Sequence, residues 1–201
     1  MRFLEGRQVL SKVLGIDVDY EGFDYSENVV NTVIRDFPGS NIKQADMTTF
    51  KPDKQYDLVI LIGGLHHLPD YFEQNIETIR TCLNPGGYFI NFEPTHSNFF
   101  IKGIRDYIYN KNRIFDAETE RDFDLDEYNN AITGRGFALK DQIHAGLLAY
   151  VLYYNPDAFP FLNVGSKTLV DSCFSLDKIF FRNFIGKALS FATLSLFQKE
   201  G

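Results

Sequence analysis

The sequence predicts an α/β fold in which helices cover both faces of a mostly parallel sheet. Between residues 19 and 93, short apolar segments alternate with segments whose apolar residues recur at helical spacing. The segment YDLVILI, residues 56–62, is apolar at consecutive positions, as is typical of a strand covered on both faces at the centre of such a sheet. Folds of this class bind their ligands at the carboxyl ends of the strands.

Length and composition indicate one globular domain. The chain has 201 residues, of which 44% are hydrophobic and 23% are charged, and we expect a helical elaboration at residues 155–187 rather than a second domain. The net charge of −7 argues against nucleic-acid binding through phosphate neutralisation. Cys82 and Cys173 form no CxxC pair, so we expect reduced thiols and a cytoplasmic location. No segment approaches the roughly 20 apolar residues of a spanning helix, and the N-terminus lacks an apolar signal segment, so we expect no stable membrane insertion.

The first predicted elements are a strand, a helix and a second strand. Residues 19–24, DYEGFD, predict a short strand that ends in the acidic residue Asp24. Ser26 then stands where an N-cap begins a helix. The apolar face of that helix consists of Val29, Val30, Val33 and Ile34. Residues 41–46, NIKQAD, predict the second strand, which ends in Asp46.

The strand at residues 56–62 is followed by a turn, a helix and a further strand. The turn carries the sequence GGLHH, residues 63–67. Apolar residues of the predicted helix are Phe72, Ile76, Ile79 and Leu83. The sequence NPGG, residues 84–87, ends this helix before the strand YFINFE at residues 88–93.

The second half of the chain continues the alternation less regularly. First come a helix with Ile101, Ile104 and Ile108, a charged loop at residues 110–124, and a helix at 125–133 closed by Gly134 and Gly136. Strands at 137–143 and 147–154 follow, then a helical stretch at 169–184 and a last strand at 190–197. This tail is expected to form an edge of the same sheet together with the helical elaboration.

Five segments stand in an order and near a spacing that are typical of one enzyme family. They are EGFDYSENVV, IKQADMTTF, YDLVILIGGLHHLPD, IRTCLNPGGYFINFEP and GRGFALKD. From about Glu5 to Lys199, the chain resembles the class I, small-molecule methyltransferases that use S-adenosylmethionine. The resemblance implies a Rossmann-like, doubly wound sheet with an antiparallel last strand, S-adenosylmethionine as cofactor, and methyl transfer to an oxygen or nitrogen of a small-molecule acceptor.

The resemblance also implies cofactor contacts at two strand ends. Asp24, with Tyr25 beside it, matches the acidic residue that accepts the ribose hydroxyls, although the dipole of any following helix also favours a carboxylate at this position. Asp46 matches the acceptor of the adenine amino group, with Met47 beside the purine, and its alternative is a solvated turn residue. Both carboxylates are therefore predicted to bind the cofactor.

The turn GGLHH carries two further predictions. Gly63 and Gly64 lack side chains, which lets the backbone approach the methionine part of the cofactor. His66 and His67 are candidate catalytic residues, because an imidazole that faces the pocket can take a hydroxyl proton, whereas at least one of the two is expected to be a polar turn residue. Metal binding by this pair is not favoured, because adjacent side chains on extended backbone point to opposite sides.

The acceptor site is predicted more loosely. Glu93, His96 and the charged residues 113–121 either line that site or belong to a solvated lid. Phe180 and Phe181, which have basic neighbours, either pack in the core or cap the acceptor pocket and touch an amphiphilic acceptor or a membrane surface. No universal catalytic residue is expected, because the methyl group of the cofactor is already activated and the protein chiefly aligns the reactants.

One motif of the family is incomplete in this sequence. The family's first strand leads into a loop of the form E/D-x-G-x-G-x-G, whereas this chain offers MRFLEGRQVL. Either residues 2–5 are a shortened first strand joined to the helix by Gly6 alone, or Gly6 is the last glycine of a loop whose beginning is absent. A truncated start or a degenerate gene would produce either arrangement. Gly6 is thus the candidate cofactor residue of this segment, and the alternative function is a methyltransferase-like binding module without activity.

Overall fold

A computed structural model of the chain describes residues 6–111, 122–154 and 166–201. The chain forms two compact units, residues 1–51 and residues 52–201. Each unit contains strands and helices of its own. The single domain that composition indicates stays a prediction.

The first unit contains a short parallel sheet with a helix between its strands. Its described elements are α1 (Gly6–Leu14), β1 (Gly22–Asp24), α2 (Glu27–Asp36) and β2 (Ile42–Gln44), and β1 pairs with β2. Ser26 begins α2 as predicted, because its hydroxyl oxygen accepts a hydrogen bond from the Val29 amide at 3.4 Å. Val30 of α2 is buried, and the rings of Phe23 and Phe50 stack at a centroid distance of 4.6 Å. The strand, helix and strand predicted for residues 19–46 are confirmed.

The second unit is larger and alternates strands with helices. Its described elements are β3 (Tyr56–Ile62), α3 (Phe72–Cys82), β4 (Leu83–His96), α4 (Phe99–Lys111), β5 (Phe123–Asp124), α5 (Leu125–Thr133), β6 (Phe137–Ile143), α6 (Leu148–Tyr154), α7 (Lys167–Asp177), α8 (Phe184–Leu189) and β7 (Ala192–Lys199). Short 3₁₀ turns at Leu65–His67 and Pro69–Tyr71 join β3 to α3.

The sheet of the second unit has the strand order β3-β4-β7-β6, and β5 pairs with the end of β4. Strands β3 and β5 run parallel to β4, whereas β7 is antiparallel to both β4 and β6. Strands β3, β4 and β6 therefore point in the same direction, and the last strand is reversed. This arrangement confirms the predicted Rossmann-like fold with a mostly parallel sheet and an antiparallel last strand.

The core of the second unit lies where β4, β6 and β7 meet the helices. Phe89, Phe137 and Phe197, one from each of these strands, are buried with ring centroids 6.1 to 6.5 Å apart. Ile76 of α3 and Ile132 of α5 are completely buried as well. Among the described residues, no helix is long and apolar enough to cross a membrane.

Strand β3 occupies a different place from the one its sequence predicts. Its bounds, Tyr56–Ile62, match the apolar run, but β4 takes the middle of this sheet, and no other described strand pairs with the far edge of β3. The side chains of Ile60 and Ile62 are accordingly 38% and 61% exposed. The prediction that this run is the centre of the fold is wrong here, because consecutive apolar residues report hydrophobicity and not the number of paired neighbours.

The run LLAYVLYY also differs from its prediction, because it forms helix α6 and not a strand. The carboxylate of Asp177, at the end of α7, accepts a hydrogen bond from the Ala149 amide at 2.8 Å. Asp177 is only 2% exposed, so it satisfies the start of α6 from inside the protein. A short apolar run does not distinguish helix from strand, and here the capping carboxylate lies 28 residues away.

Four further predictions need correction or fall partly or wholly outside the described residues. The helical stretch predicted at residues 169–184 ends at Asp177, and α8 begins at Phe184. The predicted loop at residues 110–124 contains β5, and its residues 112–121 lie outside the described part, as do residues 155–165 of the helical elaboration and residues 2–5 of the first motif. Gly6 is the first residue of α1.

Candidate functional site

All four histidines of the chain lie at the carboxyl ends of strands in the second unit. His66 and His67 follow β3, His96 is the last residue of β4, and His144 follows β6. Because these three strands point in the same direction, the four imidazoles share one edge of the sheet. This is the edge at which folds of this class bind ligands.

The conformation and packing of the turn after β3 themselves require its two glycines. Gly63 has a φ of 62°, a left-handed conformation that side chains disfavour, and its amide donates to the Phe92 carbonyl at 2.8 Å. A β-carbon on Gly64 would come within 2.7 Å of the Leu61 side chain. These two features account for the glycines without a ligand, and contact of Gly63 and Gly64 with the cofactor stays a prediction.

A buried carboxylate holds this turn in place. Glu93 of β4 is 0% exposed, and its Oε1 accepts hydrogen bonds from the amides of Gly64 at 3.0 Å and Leu65 at 2.9 Å. Its Oε2 lies 2.8 Å from Nδ1 of His66 and also accepts from the His66 amide at 3.4 Å. Both oxygens are thus occupied, so Glu93 fixes the backbone of the turn and does not line an acceptor site.

Two more polar side chains extend the hydrogen-bond network of Glu93. The Asn91 amide group donates to Glu93 Oε1 at 3.3 Å and to the Leu61 carbonyl at 3.2 Å. The hydroxyl of Tyr128 on α5 donates to Oδ1 of Asn91. Burial, and then the nearby charge of Glu93, raise the pKa of Tyr128 well above its usual value, which keeps this hydroxyl a donor. The network therefore joins α5, β4 and the turn after β3.

The two histidines of the turn have different surroundings. His66 is buried against Glu93, whereas His67 is exposed, and their ring centroids are 3.9 Å apart. The expectation that the two side chains point to opposite sides is wrong, because residues 65–67 form a 3₁₀ turn and not extended backbone. His66 is the polar turn residue of the pair, and His67 is the one exposed at this edge of the sheet.

A second pair of histidine and carboxylate lies at the end of β4. Nδ1 of His96 is 2.6 Å from Oδ2 of Asp122, and its Nε2 is 3.9 Å from Oδ2 of Asp124. The side chains of His96 and Asp122 are only 12% and 10% exposed. The other oxygen of Asp124 caps α5 by accepting from the amides of Asp126 at 3.0 Å and Glu127 at 3.1 Å. Sequence reasoning missed this pairing, because Asp122 is 26 residues from His96 and only the pairing of β4 with β5 brings them together.

The remaining histidine is isolated. His144 is buried, its amide donates to the Phe181 carbonyl at 2.8 Å, and no described residue hydrogen-bonds to its Nδ1. Burial, and then the charge of Lys187, lower the pKa of His144, so its ring is neutral in the folded protein. Phe181 and Phe180 are half-buried, which leaves their predicted role at the acceptor pocket a prediction.

The predicted cofactor residues of the first unit follow its two strands. Oδ1 of Asp24 accepts from the Ser26 amide at 2.8 Å, and no described residue hydrogen-bonds to its Oδ2. Oδ1 of Asp46 accepts from the amide and the hydroxyl of Thr48, at 2.8 and 2.7 Å, and its Oδ2 likewise has no described partner. Each carboxylate therefore keeps one oxygen for a ligand.

The family is decided by a family model for the methyltransferase domain, which matches residues 6–139. The chain belongs to this family. Membership confirms the predicted class, an S-adenosylmethionine-dependent methyltransferase, and the predicted cofactor. A search of the curated proteins found no match.

Solved structures agree with the methyltransferase fold. An S-adenosylmethionine dependent methyltransferase from Mesorhizobium loti is 16% identical over 96% of this chain and 86% of its own, with a TM-score of 0.57. The plantazolicin methyltransferase BpumL, crystallised with a pentazolic desmethylPZN analog and SAH, is 15% identical over 96% and 72%, with a TM-score of 0.55. The O-methyltransferase of a trans-AT PKS multienzyme of Brevibacillus brevis, in complex with S-adenosyl-L-homocysteine, is 13% identical over 95% and 61%, with a TM-score of 0.58. At these identities the likeness shows the fold.

The residues of the methyltransferase fit the chemistry of this cofactor. An adenosyl group presents two ribose hydroxyls and an amino group, all of which donate hydrogen bonds to carboxylates. Asp24 and Asp46 each keep an oxygen for such donors, and Met47 is half-buried beside Asp46. Tyr25 is exposed, and its carbonyl accepts from the side chain of Gln44 at 3.1 Å. None of these groups would have to be displaced from a described partner to accept the cofactor.

Proposed function

We propose that this methyltransferase transfers the methyl group to an oxygen or nitrogen of a small-molecule acceptor. The observation that carries the proposal is a pair of imidazoles at the carboxyl edge of the sheet: the ring of His67 is exposed, and that of His96 is held by a carboxylate. A hydroxyl acceptor loses its proton when it is methylated, and a protonated amine must lose a proton before its nitrogen can attack. Imidazoles near this edge of the sheet supply groups that take such a proton. A thiolate acceptor, by contrast, has no proton to lose.

The cofactor supplies a methyl group on a positively charged sulfur, which makes the methyl carbon electrophilic. Asp24 accepts the ribose hydroxyls with its open oxygen, and Tyr25 lies next to it. Asp46 accepts the adenine amino group, and Met47 contacts the purine. Gly63 and Gly64 leave room for the methionine part, and Gly6 contributes backbone at the start of α1. Each of these roles is part of the proposal.

The catalytic roles proposed for the turn differ between its two histidines. His66 is bound through Nδ1 to Glu93 and positions the turn. His67 contacts the acceptor, because its ring is the exposed one. The acceptor itself is a small molecule, and the acidic chain, with its net charge of −7, does not favour nucleic acid as an alternative.

Calorimetry with S-adenosylhomocysteine tests the cofactor assignment. Asp24→Ala removes charge-assisted hydrogen bonds to the ribose and should weaken binding by about 2 to 4 kcal/mol, whereas Asp46→Ala should cost less. Asp36→Ala is the matched control in the same unit, because that carboxylate is engaged by Arg35 at 2.8 Å on an exposed surface. Unchanged affinity in Asp24→Ala would remove the ribose assignment.

Methyl transfer itself is tested with tritium-labelled S-adenosylmethionine. A panel of phenols, primary alcohols and amines is offered at saturating cofactor, and transfer of label to a hydroxyl or amine compound is the expected result. Label that appears only on thiols or on carbon acids would contradict the proposal.

A further inference from the structure

His96 meets the requirements of a general base more fully than the histidines of the turn. An ionised carboxylate accepts hydrogen bonds and donates none. The contact of ionised Asp122 with His96 at 2.6 Å therefore places a proton on Nδ1 of His96. In the neutral ring, Nε2 then carries the lone pair that takes a proton. A carboxylate that fixes the tautomer of an imidazole in this way is the arrangement that orients a catalytic base.

A second carboxylate lies on the other side of the His96 ring. Nε2 is 3.9 Å from Oδ2 of Asp124, which is too far for a hydrogen bond but close enough to attract a positive charge. Within residues 6–111, 122–154 and 166–201, the charged groups in contact with the ring are the carboxylates of Asp122 and Asp124. The ammonium group of Lys187 on α8 is paired with Asp126 at 2.7 Å. The described residues therefore hydrogen-bond the ring at Nδ1 and not at Nε2.

The position of His96 places it at the edge where the acceptor is expected. Ile62, the last residue of β3, pairs with Phe92, and β4 continues beyond it to His96. Asp124, which pairs with His96, begins α5 immediately afterwards. By contrast, Nδ1 of His66 faces Glu93, whose oxygens are already filled by amides of the turn, so His66 belongs to the scaffold.

We propose that His96, oriented by Asp122, is the general base that removes the proton from a hydroxyl acceptor during methyl transfer. The O–H bond breaks and its proton goes to Nε2 of His96, while the oxygen electron pair forms the new bond to the methyl carbon. The carbon–sulfur bond breaks, and its electron pair stays on sulfur, which becomes neutral. The imidazolium of His96 afterwards gives its proton to water. This inference rests on the proposed function and narrows its acceptor to a hydroxyl compound, for which His67 serves in contact and not as the base.

The tautomer can be tested without cofactor or acceptor. Two-bond ¹H–¹⁵N correlation spectra of the full chain are assigned with single His→Gln variants at each of the four histidines. We expect His96 above pH 8 to carry its proton on Nδ1 with Nε2 unprotonated, and Asp122→Asn to abolish this single tautomer. A wild-type His96 with its proton on Nε2 would overturn the proposal.

Kinetics with the hydroxyl compound that turns over fastest in the tritium screen test the base. His96→Gln should lower kcat at least 100-fold, leave the KM of S-adenosylmethionine within about two-fold, and remove the fall in rate on the acid side of the pH profile. Asp122→Asn should lower kcat less and also alter that profile, as expected of a positioning residue. His144→Gln is the matched control and should retain kcat.

The outcomes separate the two proposals. A pH profile that flattens in His67→Gln, but keeps its acid limb in His96→Gln, overturns the assignment of His96 while methyl transfer stands. If the wild type methylates amines only, the hydroxyl inference is overturned and the broader function stands. If it methylates neither class, the proposed function fails, and the spectra of His96 still decide whether its tautomer is the one inferred.

Discussion

The buried carboxylate of Glu93 offers the sharpest test of how the turn after β3 is held. Glu93→Ala removes an acceptor that three close donors share: the amides of Gly64 and Leu65 at 3.0 and 2.9 Å, and Nδ1 of His66 at 2.8 Å. Hydrogen bonds to a charged group contribute about 1.5 to 3 kcal/mol each. Their sum is an upper limit, because removing Glu93 also removes the cost of burying its charge.

We therefore expect Glu93→Ala to lower the free energy of unfolding by about 3 to 5 kcal/mol, because the buried donors of the turn lose their acceptor. Glu93→Gln keeps one acceptor oxygen and should cost about 1 to 3 kcal/mol. Urea unfolding followed by circular dichroism measures both changes. Glu73→Ala is the control, because its carboxylate pairs with Arg135 on the surface, where such pairs contribute no more than about 1 kcal/mol.

Amide hydrogen exchange adds a local measurement to the global one. The amides of Gly64, Leu65 and His66 should be protected in the wild type and should exchange much faster in both Glu93 variants. A Glu93→Ala protein within about 1 kcal/mol of the wild type, with these amides still protected, would refute the view that the carboxylate holds the turn.

Three further predictions follow from burial and backbone geometry. The pKa of His144 is lowered in the folded state, so as the pH falls the unfolded chain binds a proton at this ring before the folded chain does. The free energy of unfolding should therefore fall as the pH drops below about 6.5. Urea titrations at several pH values should show that His144→Asn loses this part of the pH dependence. Burial raises the pKa of Cys82 to about 11, so a thiol reagent at pH 8 should modify Cys82 only after denaturation. The Cys82→Ser protein is the control, because its only thiol is that of Cys173. Rapid modification of both thiols in the native wild type would contradict the prediction. Gly63→Ala should cost about 1 to 2 kcal/mol because of its left-handed φ, whereas Gly103→Ala within α4, where a β-carbon meets open space, should gain about 0.5 to 1 kcal/mol; equal effects would contradict the backbone argument.

Much of the fold could be predicted from local sequence, because the relevant signals are local. The bounds of β3 coincide with one apolar run, and Ser26 caps α2 within three residues of its own position. The start of α6 could not be predicted in this way, since its capping carboxylate, Asp177, lies on another helix. Propensity and periodicity describe a segment and its neighbours in sequence, and they do not describe partners brought close by the fold.

In the candidate site, too, local sequence indicates some residues, whereas others depend on contacts that the fold creates. The sequence indicates which residues end or follow the strands, so Asp24, Asp46 and the histidines of the turn can be proposed as site residues from the sequence alone. It does not indicate that Glu93 lies under the turn, because 27 to 29 residues separate it from its donors. The parallel register between Ile62 and Phe92 creates that contact. Likewise, the pairing of β4 with β5, and no local motif, makes Asp122 the partner of His96.

The buried face of β4 changes from apolar to polar toward the carboxyl edge of the sheet. Side chains alternate along a strand, so the same face carries, in order, Phe89, Asn91, Glu93 and Thr95, all of them buried. Toward the carboxyl end, the apolar residue gives way to polar ones, and each is matched by a different element: α5 at Asn91, the turn after β3 at Glu93, and β7 at Thr95. Buried polar groups of this kind usually add no more stability than well-packed apolar residues. What they add is a fixed backbone at the ends of β3 and β4, and methyl transfer requires the acceptor and the methyl group to be aligned to that precision.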